Sequence, residues 1–186
     1  RKAGEANTMV LDYIEPYVKE GISTGELDRL IYDYTLKIGG TPACLNYKGY
    51  PKSVCTSIDD VVCHGIPDDN RILKSGEIIN VDCTTIYNGY FGDASRMYCI
   101  GDVSPEKRKL VEVTKECLDI GFQMVKPWAF LGDMGVAVNH HAMENGYSVV
   151  REIGGHGVGV QFHEDPWVSH IGTPGGDYLM VPGMIF

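Results

Sequence analysis

Two aspartates, Asp82 and Asp93, lie in the two arms of a predicted β-hairpin that turns at Asn88-Gly89. This dipeptide between two β-rich runs is the strongest short hairpin signal, and a two-residue loop there places Asp82 opposite Ser95. Opposed residues share a face of the sheet, so the two aspartates should be diagonal neighbours on one face. Close carboxylates repel unless a proton or a cation lies between them. The pair therefore indicates either a divalent metal site or a hydrated, solvent-facing surface.

Three histidines lie in contexts that leave an imidazole room to bind a ligand. His156 lies in the glycine-rich residues 154–159, His163 follows seven residues later, and His64 precedes Gly65. A single histidine is more often a surface or core residue than a ligand. Carboxylates with imidazole nevertheless suit a divalent ion such as Mn, Fe, Co or Zn, which can activate water and polarise a carbonyl. No G-x-S-x-G, H-E-x-x-H, Walker or C-x-x-C motif offers another chemistry.

The helices that must position these residues can be predicted from periodicity and capping signals. The first residues have helical spacing. Ser23 and Glu26 have the spacing of a capping box before an apolar stripe, which predicts the start of a second helix. Ser104-Pro105 predicts the start of a long third helix, and a fourth should begin near Leu131.

Beyond the hairpin, short strands are expected around Val54 and Val61 and over residues 147–153. Residues 180–186 also have the composition of a strand, and the sequence ends inside it. We therefore expect the sequence to be a fragment of one catalytic domain, incomplete at its C-terminus and inactive as an isolated polypeptide.

A weak internal repeat indicates that the domain consists of two α/β halves, of approximately residues 1–100 and 101–186. Several residues recur at an offset of 107 positions, and both halves have the order helix, helix, strand. The recurring glycines are Gly39 with Gly146 and Gly76 with Gly183.

The composition excludes several classes of protein. The chain has 186 residues, a net charge of −9 and a hydrophobic content of 44%, which argue for a globular domain and against nucleic-acid or anionic-membrane binding. No apolar run approaches the length of a membrane span. The six cysteines form no C-x-x-C pair, and we expect reduced thiols in the cytoplasm.

Five motifs in order make the sequence resemble type I methionine aminopeptidase of the bacterial kind. The resemblance implies the pita-bread fold, an α+β architecture with a pseudo-twofold duplication and an antiparallel sheet covered by helices. It also implies removal of the initiator methionine from nascent proteins by a metal-activated hydroxide. The motifs are Tyr47-Lys48-Gly49-Tyr50-Pro51-Lys52-Ser53-Val54-Cys55, Val61-Val62-Cys63-His64-Gly65-Ile66-Pro67, Asn80-Val81-Asp82, Gly92-Asp93-Ala94-Ser95 and Gly155-His156-Gly157-Val158-Gly159.

By this resemblance, Asp82, Asp93 and His156 are three of five ligands to two divalent metal ions, with Asp93 bridging the ions. His64 corresponds to a histidine that contacts the substrate near its N-terminus. His163 corresponds to the histidine that stabilises the scissile carbonyl. The residues implied to line the methionine pocket are Cys44, Tyr47, Tyr50, Cys55 and Phe162.

Two departures from the family pattern stand out. Lys48 replaces a histidine of the Tyr-His-Gly-Tyr-Pro motif, and the two ligand glutamates are expected beyond Phe186. The implied protein is a monomer whose partners are peptides with N-terminal methionine, with a transient ribosome contact left open. Two alternatives remain: a Xaa-Pro aminopeptidase or prolidase of the same fold, and a non-catalytic binding module of that fold.

Overall fold

A computed structural model describes the whole chain, Arg1–Phe186. The chain separates into two compact units. The first contains Arg1–Lys107 and Val160–Phe162, and the second contains Arg108–Gly159 and His163–Phe186. None of the helices combines the length and the hydrophobicity needed to cross a bilayer.

The first unit contains two helices and a four-stranded antiparallel sheet. The second helix begins where capping predicted, because the Ser23 hydroxyl accepts a hydrogen bond of 3.0 Å from the Glu26 amide. Strand β3 is central, with β4 along one edge and both β1 and β2 along the other. The elements are α1 (Lys2–Ile14), α2 (Thr24–Lys37), β1 (Thr41–Pro42), β2 (Cys55–Ile58), β3 (Ile78–Tyr87) and β4 (Tyr90–Cys99).

The hairpin of β3 and β4 confirms the predicted turn and register. Asn88 and Gly89 both have positive φ, 53° and 83°. This is the conformation that a two-residue hairpin loop requires and that asparagine and glycine tolerate. The ladder runs without a bulge from Tyr87 opposite Tyr90 to Ile78 opposite Cys99.

One face of this sheet forms the core of the first unit. Ile79, Val81 and Cys83 alternate along β3 and are buried in one apolar cluster with residues of α1 and α2. Asn7 of α1 ties the helix to the same face, because its amide donates to the Cys83 carbonyl at 2.9 Å. It also accepts a hydrogen bond of 2.8 Å from the Thr85 hydroxyl. The predicted arrangement of helices covering an antiparallel sheet is therefore confirmed in this unit.

The second unit contains most of α3 (Pro105–Met124), all of α4 (Leu131–Glu144), and two short antiparallel strands, β5 (Gly155–Gly157) and β6 (Glu164–Val168). Both helices begin close to the predicted positions. In the small hydrophobic core of this unit, Leu131 and Met134 of α4 pack against Val168 and Met180. Both strands are shorter than β3 and β4 of the first unit.

Three predicted strands are wrong. Near Val61 the chain turns instead, because Asp59 has a φ of 51° and the Val61 amide donates to the Ile58 carbonyl at 3.0 Å. Residues 147–153 form no strand, since no neighbouring strand lies beside them and strand formation depends on such a partner. Residues 180–186 form a turn at Gly183, whose φ is 94°.

The internal repeat is visible in the conformation of each unit. Thr24 and Leu131, the first residues of α2 and α4, are 107 positions apart, and so are the last residues of these helices. The residues before these two helices, Ser23 and Phe130, each form an isolated antiparallel β-bridge. Their bridge partners, Ile72 and Leu179, are also 107 positions apart. The repeated glycines share left-handed conformations, with φ of 80° and 84° at Gly39 and Gly146 and of 93° and 94° at Gly76 and Gly183.

Strand β4 approaches α1 closely at Gly92, and this contact yields a prediction. A Cβ atom at Gly92 would overlap with the backbone carbonyl of Ala3, which has no side-chain freedom to move away. We expect Gly92→Ala to lower the free energy of unfolding by about 1–3 kcal/mol. Urea denaturation of the full-length protein measures the change.

Gly4→Ala in α1 is the matched control. A Cβ atom at Gly4 meets no atom within 4 Å, so alanine should stabilise the helix by about 0.5–1 kcal/mol. Equal stability of the Gly92→Ala and Gly4→Ala proteins would contradict the proposed packing of α1 on β4.

Candidate functional site

The two predicted carboxylates lie on the face of the hairpin opposite the core. Asp82 is opposite Ser95 and Asp93 is opposite Thr84, so the two aspartates are diagonal neighbours, as predicted. Both side chains are half-buried, whereas Val81 and Cys83 on either side of Asp82 point into the core. Two half-buried carboxylates on one face form a hard, oxygen-rich donor set that fits a divalent cation.

Thr84 holds one of these carboxylates in place. Its hydroxyl is buried and donates a hydrogen bond of 2.8 Å to Oδ1 of Asp93. Groups that hydrogen-bond a ligating carboxylate fix its orientation and raise metal affinity. Thr84 was not among the site residues predicted from the sequence, although the predicted hairpin register places it directly opposite Asp93.

In the second unit, the structure places His156 beside His163. The ring centroids are 4.3 Å apart, with an angle of 38° between the planes. Nδ1 of His156 lies 3.0 Å from the Gly157 carbonyl oxygen, to which it donates a hydrogen bond. In the neutral imidazole this hydrogen bond leaves the lone pair on Nε2, the state that a metal-binding histidine requires. The structure thus brings together two of the three predicted histidines.

No group of three or more His, Cys, Asp or Glu side chains is arranged in the structure so that it could hold a metal ion. The carboxylate pair of the first unit and the histidine pair of the second are each well defined. The ligand set of Asp82, Asp93 and His156 therefore stays a prediction.

His64 lies in an exposed loop that is fixed to β2. It has a φ of 56°, an unusual conformation for a residue other than glycine. The next residue, Gly65, accepts a hydrogen bond of 2.8 Å from the Thr56 amide and donates one of 3.2 Å to the Ser57 hydroxyl. These bonds hold the loop so that the imidazole is directed to solvent, where a substrate could reach it.

Four of the five predicted pocket residues form one apolar cluster in the first unit. The ring of Phe162 packs against Tyr47 at a centroid distance of 4.7 Å and against Phe91 at 5.7 Å. Aromatic rings and sulfur contact a thioether favourably, so such a cluster suits a methionine side chain. The cluster contains Ala43, Cys44, Tyr47, Tyr50, Ile86, Phe91 and Phe162.

Cys55, the fifth predicted pocket residue, lies beside this cluster. It is directly opposite Asp82 on the other edge of β3, and Cys44 donates a hydrogen bond to it. That hydrogen bond and burial raise the pKa of Cys44 well above its usual value, while the same bond lowers the pKa of Cys55. Burial likewise raises the pKa of Tyr50. Cys44 and Tyr50 are therefore uncharged at neutral pH, as an apolar pocket requires.

Ile86 and Phe91, which are opposite each other in the hairpin, were also not predicted as pocket residues. Both lie on the same face as the aspartates, and Phe91 precedes Asp93 by two residues. The alternation that placed Asp82 and Asp93 on one face could have identified them. One face of one hairpin therefore carries the carboxylates and part of the apolar pocket.

Comparisons with known proteins agree with this description. The family model of metallopeptidase family M24 matches residues 1–186. The chain is 47% identical to methionine aminopeptidase of Haemophilus influenzae, over all of this chain and 70% of that protein. It is similar to the crystal structure of methionine aminopeptidase from Rickettsia prowazekii, with a TM-score of 0.95 and 43% identity over 98% of this chain and 73% of that one. The structure of a Xaa-Pro dipeptidase from Bacillus anthracis is also similar, with a TM-score of 0.81 and 20% identity over 98% of this chain and 49% of that one.

Adjacent threonines of β3 allow the role of Thr84 to be tested. Thr84→Val keeps the shape of the side chain but removes the donor to Asp93. We expect the affinity of the full-length protein for a divalent metal such as Mn to fall about 10–100-fold, with little loss of stability. Isothermal titration calorimetry with the metal measures the affinity.

Thr85→Val is the control on the opposite face. Its hydroxyl donates to the buried Asn7, so this variant should lose about 1–3 kcal/mol of stability but keep its metal affinity. Equal metal affinities in the two variants would show that Thr84 does not orient a ligand.

Proposed function

The chain belongs to the methionine aminopeptidases of metallopeptidase family M24, and from this premise we propose that it removes the N-terminal methionine from polypeptides. It has the pita-bread fold of this family, as its likeness to the solved methionine aminopeptidase and Xaa-Pro dipeptidase structures confirms. Members of the family depend on divalent metal ions.

The proposal rests on one observation: the carboxylate pair and part of the apolar cluster lie on the same face of the β3–β4 hairpin. Ile86 and Phe91 belong to the cluster and share a hairpin face with Asp82 and Asp93. A methionine side chain held by the cluster would bring its own backbone to the carboxylates. The first peptide bond of a substrate would then lie where a bound metal could act on it.

We propose that Asp82, Asp93 and His156 would contribute to holding two divalent ions. When bound, such ions supply an activated water and polarise the scissile carbonyl. The carboxylates hold the positive charge close to the pocket, and Thr84 orients Asp93. Nδ1 of His156 donates to the Gly157 carbonyl, so Nε2 would be the nitrogen that binds a metal ion. Co, Mn, Fe and Zn all suit this donor set.

His64 and His163 are assigned to the substrate. His64 is held on an exposed loop that is hydrogen-bonded to β2, so it can position the N-terminal part of the peptide without moving the sheet. His163 donates a hydrogen bond to the carbonyl oxygen as negative charge develops there. Such donors stabilise the transition state more than the ground state.

The proposed substrates are nascent proteins in the cytoplasm. All six cysteines are free thiols, including the contacting pair Cys44 and Cys55, and this state suits a reducing compartment. A pocket lined by two cysteines and four aromatic rings suits the thioether of methionine better than a charged side chain.

Peptide hydrolysis by the full-length protein tests the proposal. With added Mn or Co, it should release methionine from a Met-Ala-Ser peptide and leave an Ala-Pro-Ser peptide intact. Cleavage of the proline peptide alone would identify a Xaa-Pro hydrolase. Failure to cleave either peptide while the metal binds would indicate a binding module and refute the proposed reaction.

Asp93→Asn tests the proposed role of Asp93 as a metal ligand. The substitution keeps the size of the side chain and can still accept the hydrogen bond from Thr84, but it removes the charge. We expect kcat/KM for Met-Ala-Ser in the full-length protein to fall by more than about 100-fold, beyond the loss typical of a residue that only supports a ligand.

The thermal midpoint of the Asp93→Asn protein should change little. Asp119→Asn on the exposed surface of α3 is the control and should keep full activity, because Asp119 pairs only with Lys115. Wild-type rates in the Asp93→Asn protein would remove this residue from the mechanism.

A further inference from the structure

Lys48 lies next to a residue of the apolar cluster and carries an exposed positive charge. It belongs to the short turn Tyr47–Gly49 between β1 and β2, where its φ is 48° and its side chain faces solvent. Its Nζ atom is 5.4 Å from the centroid of the Tyr47 ring, a cation–π distance. The ammonium group therefore lies near the ring of a residue that also contacts Phe162.

The turn that carries Lys48 is anchored on both sides. The Asn46 amide donates to the Tyr50 carbonyl at 2.8 Å, and the Tyr50 amide donates to the Tyr47 carbonyl at 2.9 Å. The Tyr50 hydroxyl lies 3.0 Å from the carbonyl oxygens of Val54 and Gly65. The position of the Lys48 backbone relative to the cluster is thus fixed, and only the lysine side chain is free to follow a ligand.

The charge of Lys48 is not neutralised by a carboxylate. Lys52, four residues later, pairs with Asp28 at 3.6 Å, and Lys107 pairs with Asp59 at 2.6 Å. Lys48 forms no ion pair in the structure, and its contact is the uncharged Tyr47 ring. In a chain with a net charge of −9, it provides a local positive site beside the cluster.

We propose that Lys48 is a specificity-determining residue that favours peptides with an acidic side chain shortly after the N-terminal methionine. This inference rests on the proposed function. With the methionine side chain in the cluster and the first peptide bond at the carboxylates, the rest of the peptide must leave the site past its rim. A peptide advances about 3.3 Å per residue, and in this proposal the first residues beyond the cleaved bond pass the Lys48 side chain.

The attraction acts mainly on substrate binding. An ammonium group is a compact, flexible point charge that can meet a carboxylate in several positions. Both groups are exposed, so the effect is small and is screened by salt. It should appear in KM more than in kcat, because the acidic side chain takes no part in the bond that breaks.

Three peptides that differ only at the third residue test this proposal: Met-Ala-Asp-Ser, Met-Ala-Asn-Ser and Met-Ala-Lys-Ser amides. With the metal-loaded full-length protein at low salt, kcat/KM should be about two- to five-fold higher for Asp than for Asn. It should be lowest for Lys. The difference should lie in KM and should disappear at high salt.

Variants of Lys48 and of a second lysine distinguish an effect of the Lys48 charge from a general effect on the structure. Lys48→Met should abolish the preference, Lys48→Glu should reverse it and Lys48→Arg should retain it. Lys37→Met is the matched control, because Lys37 also lies over a tyrosine ring, 5.9 Å from the centroid of Tyr34, but on α2. This control should keep the wild-type preference, and thermal midpoints verify that every variant is folded.

Two outcomes would overturn the inference while leaving the proposed function intact. One is equal cleavage of the three peptides by the wild-type protein, and the other is a preference for Asp that persists in Lys48→Met. If the wild-type protein cleaved none of the three, the proposed function itself would fail, and this inference with it.

Discussion

The register of the β3–β4 hairpin is the constraint on which the site depends, because side chains alternate strictly between the two faces of a strand. The turn at Asn88 and Gly89 sets Asp82 opposite Ser95 and Asp93 opposite Thr84. A shift by one residue would turn both carboxylates towards α1 and α2 and bring Val81 to the surface. The hydrophobic core and the polar site therefore enforce the same register.

The core behind the hairpin also makes the site rigid. Helix α1 packs directly on β4 at Gly92, and Asn7 hydrogen-bonds to β3 at Cys83 and Thr85. These contacts fix the backbone from which Asp82 and Asp93 project. Diagonal carboxylates on one face repel unless a proton or a cation lies between them, so this arrangement of the backbone favours metal binding.

In the proposed function, substrate selection uses the same hairpin face. The apolar cluster, which includes Phe91 two residues before Asp93, suits the side chain of methionine, and the carboxylates are suited to hold metal near the first peptide bond. Lys48 adds a charge near the ring of Tyr47. The apolar cluster would then bind the methionine side chain, the metal site would act on the first peptide bond, and Lys48 would contact the residues that follow.

The sequence alone determined the local features. It specified the hairpin and the facing of Asp82 and Asp93, the start of α2 at its Ser23 cap and the duplicated helix order. Its motifs also identified the family, which the comparisons confirm. Local turn and capping chemistry and side-chain alternation act over a few residues, so these features need no knowledge of distant neighbours.

Only the tertiary structure decided which residues meet across long separations. It brought Phe162 against Tyr47 and Phe91, and it showed that residues 147–153 form no strand because no neighbouring strand lies beside them. It also placed the Lys48 ammonium over the Tyr47 ring. Packing partners and side-chain rotamers depend on the whole fold, which the pattern of a single segment does not encode.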